Sequence, residues 1–289
     1  MLKFLLPKRW RKDKPLVAVV RLVGAIGMVS PLRPGLSLAG IGQTLEQAFK
    51  IRSAKAVVLA INSPGGSPVQ STLIHNRIRQ LAEKHEKPVY VFAEDVAASG
   101  GYMLACAGDE VFADTSSVIG SIGVVSAGFG FTEAIKKLGI ERRVYTAGTK
   151  KTMLDAFSKE NPDDIKRLKA LQKEVHDAFI GLVKARRGDK LKGADNKLFT
   201  GEFWAGGQAL KLGLIDGIGD MHTIMKEKLG DEVRFKVLGQ ERGWLRRRLA
   251  GSNGTAPNFA GLMSLARTSL ADDAISALET RILWQRFGL

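Results

Sequence analysis

Ala97-Ala98-Ser99-Gly100-Gly101-Tyr102 places one hydroxyl among small residues at a strand-to-helix junction, where its oxygen can point into open space. Upstream, Val57-Val58-Leu59-Ala60-Ile61 reads as a buried strand running into Asn62-Ser63-Pro64-Gly65-Gly66, a turn whose glycines leave backbone N–H groups free to face a ligand. A nucleophile and an anion trap are the chemistry these two segments suggest. A serine hydroxyl attacks poorly at neutral pH until a base takes its proton. The histidines are His75, His85, His176 and His222, so residues 100–170 contain none, and three of them sit on helical patterns that suit packing or surface roles. Lysine is the other candidate, provided an apolar site brings its amine from about 10.4 toward about 7 to 8 by penalising the charged form. Lys150 and Lys151 both follow a small-residue turn and precede Met153-Leu154, and spacing alone does not separate them.

The elements that must position these groups alternate along the chain. Leu16–Leu22 reads as a strand, Leu45–Ile51 as helical, Ala56–Ile61 as the next strand, and Leu73, Ile74, Ile78 and Leu81 recur at helical spacing. Val89–Ala93 is a further strand, and a helix opens at Ser99. Glu110–Ala113 is a short strand, Gly120–Val125 a glycine-punctuated loop or strand, and Glu133–Leu138 a helix. Arg142–Thr146 reads as an edge strand. Asn161-Pro162 caps a long helix to about Arg187, Phe199–Glu202 starts one through Leu212, and a last helix ends near Gly230. This order argues for an α/β fold with a mostly parallel sheet and crossover helices, whose functional loops gather at the carboxyl ends of the strands. Asn62–Gly66 and Ser99 both fall there.

Composition narrows the class. At 289 residues, with 45% hydrophobic and 25% charged residues, the chain is globular and long enough for a substantial core. The formal net charge is +15, densest at Lys8–Lys12 and Arg246–Arg248, a layout that favours peripheral contact with an anionic membrane over a nucleic-acid groove. Nucleic acid is not an expected partner, since no aromatic-interleaved basic strand occurs. Cys106 is the one cysteine, which excludes an internal disulfide and a cysteine-rich zinc site; it reads as a packing residue. Met1–Leu6 is broken by Pro7, with the positive cluster behind it, so neither a signal peptide nor a transmembrane helix is expected and the reading is a cytoplasmic protein, peripheral on the inner face of the membrane.

Five segments, Ile61–Gly66, Ala97–Tyr102, Ile119–Val124, Gly148–Leu154 and Thr200-Gly201 through Leu214-Ile215-Asp216, together resemble the signal peptide peptidase A (SppA/SohB) family of serine-lysine peptidases over about residues 15–230. Singly the glycine motifs are weak; their joint order is specific. The resemblance implies a Clp protease/crotonase-like ββα superhelix and a serine-lysine peptidase domain over 15–230; charge, composition and spacing set apart a basic N-terminal segment (1–14) and a C-terminal extension (231–289) that holds a basic run, a linker and, from Ile275, Leu278 and Ile282 at helical spacing, an amphipathic helix. It implies Ser99 as nucleophile, Lys151 as general base, Ser121 as the group orienting that base, and an oxyanion hole from the backbone N–H groups of Gly66 and Gly100. It further implies extended peptide substrates such as signal-peptide remnants, no cofactor, and a homo-oligomer whose serine and lysine come from neighbouring protomers. Each residue has a plainer role open to it: N-cap for Ser99, turn hydroxyl for Ser121, solvated surface for Lys151, tight packing for the glycines. Two rival functions stand beside the peptidase, a crotonase-like acyl-CoA enzyme and a catalytically inactive binding scaffold of the same fold.

Overall fold

The computed structural model describes residues 14–27, 35–239 and 281–288. Its central strands, β1 (Leu16–Val23), β2 (Ala54–Ser63) and β3 (Val89–Ala98), are nearly continuous apolar runs because a parallel sheet is covered on both faces. Helix α1 (Leu38–Lys50) returns the chain from β1 to β2, and α2 (Pro68–His85) from β2 to β3. Short elements follow: α3 (Gly100–Ala105), β4 (Glu110–Ala113), β5 (Val118–Gly120) and α4 (Thr132–Lys137). The long α5 (Pro162–Arg187), capped by Asn161, precedes α6 (Asp195–Leu198), β6 (Phe203–Ala205), α7 (Gly206–Lys211), β7 (Gly217–Ile218), α8 (Met221–Leu229) and β8 (Arg234–Leu238). The sheet runs β6-β5-β3-β2-β1-β8, with β4 pairing to β3 and to β7; every pair is parallel except β5 with β6.

Strand β3 serves two partners in succession. Tyr90–Ala93 pairs with β4, and Val96–Ala98 pairs with β5. At the change-over the β2–β3 register slips between Ile61 and Ser63, and Asn62 bridges the gap: its Nδ2 donates to Asp95 Oδ2 at 2.7 Å and its Oδ1 accepts from Val96 N at 3.3 Å. Such a break bends the strand and re-aims its end. It carries the ends of β2, β3 and β5 to one place.

Two cores flank the sheet. Leu45 and Phe49 of α1, Ile74 and Ile78 of α2, Tyr102 and Leu104 of α3, and Phe179 and Val183 of α5 pack one face; Met225 of α8 packs Val17, Val19, Val58 and Phe92 on the other. Each such large side chain contributes about 1.5 to 3 kcal/mol on burial. The far end of α3 is held by charge: Arg186 Nε donates to Cys106 O at 2.8 Å, Arg186 Nη2 to Gly108 O at 3.0 Å, and Arg79 Nη1 to Ala107 O at 3.0 Å. Guanidiniums satisfy the carbonyls a helix end leaves open and complement its negative pole. Arg187, 3% exposed, ties α5 to the chain after α7 through Gly213 O and the Asp216 carboxylate.

Three expectations change. Residues 141–146 form no strand, because that stretch is fully exposed and no described strand lies beside it to receive its hydrogen bonds. The helix expected from Phe199–Glu202 through Leu212 is split: β6 interposes, paired antiparallel to β5, with the Trp204 indole packed over Gly120. Strand β8, inside the 231–289 stretch, joins the sheet beside β1. Of the tail residues at helical spacing, Ile275 and Leu278 lie outside the described residues, as do Arg246–Arg248, and Ile282 belongs to a short helix over 281–285.

Candidate active site

Ser99 sits between the end of β3 and the first turn of α3 with φ 52° and ψ −122°, a conformation that non-glycine residues seldom adopt. Three backbone hydrogen bonds hold it there: its N–H donates to Gly120 O at 2.8 Å, and its carbonyl accepts from Tyr102 N at 2.9 Å and Met103 N at 3.1 Å. Its side chain makes no capping hydrogen bond, so the hydroxyl is not spent on the helix. Left-handed backbone at a side chain of this kind costs about 1 to 3 kcal/mol, and such strain gathers at functional turns that lift a nucleophile clear of the backbone.

The glycine turn lies directly against this residue. A Cβ on Gly65 (φ 105°) would stand 2.7 Å from Ser99 Cβ and 2.9 Å from Gly100 N, and one on Gly66 (φ 142°) would collide with the Ile26 carbonyl. Only glycine fits either position. Ile26 N donates to Gly65 O at 2.8 Å and Ser67 N to Ile26 O at 2.8 Å, which pins the turn while the Gly66 N–H is engaged by no backbone carbonyl among the described residues. The Gly100 N–H is likewise an orphan of the first turn of α3. A Cβ on Gly100 would be 3.4 Å from Gly66 N, so the two amides are neighbours. Two free N–H groups beside a serine hydroxyl can receive an oxyanion.

A cavity of about 440 Å³ opens beside Ser99, Gly66 and Gly100, walled by Val69, Leu73, Met103, Val124, Phe179 and Leu182. No charged side chain lines it, so it suits an apolar group. Phe179 and Leu182 of this wall come from α5, a contribution that sequence spacing did not signal. Ser121 follows Gly120 of β5 and is 2% exposed, with φ 53° and its N–H donating to Glu202 O at 2.7 Å. Ser99, Ser121, Gly66 and Gly100 are therefore brought together at adjoining strand ends.

Lys151 is not brought to them within one chain. It lies exposed in the turn after Gly148, whose carbonyl accepts its N–H at 3.2 Å, and it does not line the Ser99 cavity. Lys150 borders a second depression of about 660 Å³ between residues 126–130 and 149–164. Cys106 is buried and its thiol is pushed up to about 12 by desolvation, which makes it inert. His75 is buried in α2, and desolvation lowers its imidazole below the usual value. His176 of α5, expected as a helix-face residue, hydrogen-bonds through Nε2 to Ile122 O at 3.1 Å. Among the described residues no group of His, Cys, Asp or Glu is placed to hold a metal ion, and no helix is long and apolar enough to cross a membrane.

Comparison with known proteins gives the family and the fold. A Brucella abortus protein named Na(+)/H(+) antiporter NhaA is 52% identical over 291 residues, which is 100% of this chain and 39% of that protein. The antiporter name describes a chain of which most is unmatched here. "Serine protease SPPA, chloroplastic" of Arabidopsis thaliana is 31% identical over 234 residues, 76% of this chain and 33% of that one. The chain thus spans about two fifths or less of the length of these relatives. A solved structure of the 1510-N membrane-bound stomatin-specific protease, a lysine-to-alanine mutant in complex with a substrate peptide, superposes with a TM-score of 0.50 at 17% identity, covering 82% of this chain and 97% of that one, and shares the fold. The model of Peptidase family S49 matches residues 81–233, from the end of α2 to the approach of β8 and including Ser99, Ser121 and Lys151, and the chain belongs to that family.

Proposed function

We propose that the chain is a serine endopeptidase of extended peptides, signal-peptide remnants or membrane-associated polypeptides, acting through Ser99 and Lys151. The observation that carries this reading is the strained seat of Ser99, whose uncapped hydroxyl adjoins the free N–H groups of Gly66 and Gly100 at the mouth of an apolar cavity. Neutral Lys151 takes the hydroxyl proton as Ser99 Oγ attacks the peptide carbonyl; the oxyanion rests on the two glycine amides. The protonated lysine then gives its proton to the leaving amine as the C–N bond breaks, and water, deprotonated by the same lysine, releases the acyl group. Ser121 orients the amine.

Because Lys151 is exposed and apart from the Ser99 cavity, the reading places Lys151 of a second copy at each site. The segment that carries it supports this: between residues 125 and 160, Val125, Phe129, Leu138 and Tyr145 are 69, 80, 72 and 90% exposed, apolar surface of the kind that associates. Covering it would desolvate the lysine, which favours the neutral amine. A crotonase-like acyl-CoA reaction is less well supported, since acidic catalysts would be needed and no carboxylate lines the cavity. Peripheral membrane contact rests on the basic charge of residues 1–14, and flotation with anionic vesicles after their removal tests it. Purified protein with an apolar peptide should release product and label with a fluorophosphonate at Ser99; no turnover by the wild type refutes the peptidase, and turnover surviving in Ser99→Ala refutes Ser99 as its nucleophile.

A further inference from the structure

Helix α5 meets the candidate site twice. Val175, Phe179 and Leu182 wall the cavity, and His176 on the same helix reaches the carbonyl of Ile122. A carbonyl only accepts, so His176 Nε2 is the donor and carries a proton. Ile122 is fully buried, directly after Ser121 and two residues before Val124 of the cavity wall. The stretch 121–124 thus has two anchors: Ser121 N to Glu202 O on the β6 side, and Ile122 O to His176 on the α5 side. Immediately beyond it the chain runs out to the exposed Val125. Without the second anchor, the backbone ladder of β5 does not restrain Ile122, since that strand ends at Gly120.

We propose that His176 is a positioning residue: its hydrogen bond to Ile122 O clamps the 121–124 loop to α5, keeping Ser121 beside Ser99 and fixing Val124 in the cavity wall. Its effect on turnover rests on the Ser99–Lys151 reading; its effect on the loop does not. A buried carbonyl satisfied for stability alone would not distinguish kcat from KM, whereas a clamp on the base-orienting serine acts on kcat.

The test compares His176→Leu, which keeps bulk and removes the donor, with His176→Gln, whose amide restores one. In His176→Leu, kcat on an apolar peptide should fall about tenfold with KM within about twofold, and His176→Gln should recover most of it. Hydrogen exchange read on the whole protein should show the amides of Ser121–Val124 opening faster in His176→Leu and returning toward wild type in His176→Gln. Wild-type kcat and exchange in a folded His176→Leu overturn the proposal, as does a His176→Gln indistinguishable from it. Should His176→Leu not fold, His176→Asn, whose amide is too short to reach Ile122 O, takes its place. Ser99→Ala runs in the same panel: activity surviving there refutes the Ser99–Lys151 reading, while the exchange measurement still decides the clamp.

Discussion

Around Ser99 three backbones close on one another: the end of β3 is joined to the end of β5 by a hydrogen bond of 2.8 Å, the glycine turn is pinned to Ile26 by two more of 2.8 Å, and a single methyl on Gly65 has no room. Between residues 125 and 160, where Lys151 lies, no residue is buried. One chain therefore packs Ser99 against the Gly66 and Gly100 amides, where tolerance is a few tenths of an ångström, and leaves Lys151 exposed among the described residues. Precision at the first place comes from packing; at the second, on the proposed mechanism, it comes from association.

The sharpest way to break this contrast is to mix Ser99→Ala with Lys151→Met. Each alone should be inactive; if serine and lysine meet across a contact, random mixed assemblies should regain about a quarter of wild-type activity. No recovery after subunit exchange would place both groups in one protomer. Next in size, Arg187→Leu should lower stability by about 3 to 5 kcal/mol, since it strands part of the Asp216 charge at the end of the packed region. Burial alone would raise the Asp216 carboxyl, but hydrogen bonds from Arg187 and Lys190 outweigh it and hold it below the usual aspartate range. Its folded value being depressed, its contribution is complete above about pH 4 and is lost as pH falls through the folded value. Acid denaturation midpoints should show that loss in wild type and not in Asp216→Asn.

A smaller pair of changes contrasts the two regions at one residue type. Gly66→Ala drives a methyl into the Ile26 carbonyl and should cost about 3 kcal/mol or more, whereas Gly148→Ala, with φ 102° and open space around it, pays backbone strain alone, about 1 kcal/mol. Equal denaturant midpoints would erase the distinction between packed seat and open arm. Smallest is Tyr145→Ser, 90% exposed, which should move stability by no more than about 0.5 kcal/mol yet steepen the loss of activity on dilution.

The Ser99 junction and the glycine turn beside it were legible because strand, turn and helix are local patterns, and α1, α2, α5 and α8 followed from spacing and caps such as Asn161. What spacing missed depends on distant partners. Arg142–Thr146 has strand composition but no strand beside it among the described residues, while Phe203–Ala205, three residues between a glycine-containing turn and α7, is a strand only because β5 offers an antiparallel edge. Arg187 with Asp216 and His176 with Ile122 join residues far apart in the chain, and nothing periodic announces such pairs. Lys150 and Lys151 stay unsorted by a single chain, since neither borders the cavity of Ser99.

The positive φ of Ser99 sets the hydroxyl against the molecule's own durability. Glycine is the residue that backbone geometry prefers there. On the peptidase reading, Ser99→Gly should be inactive yet melt higher than its parent, and so be a robust trap for holding uncut polypeptides; on that reading a serine at this corner gives up toughness for reactivity.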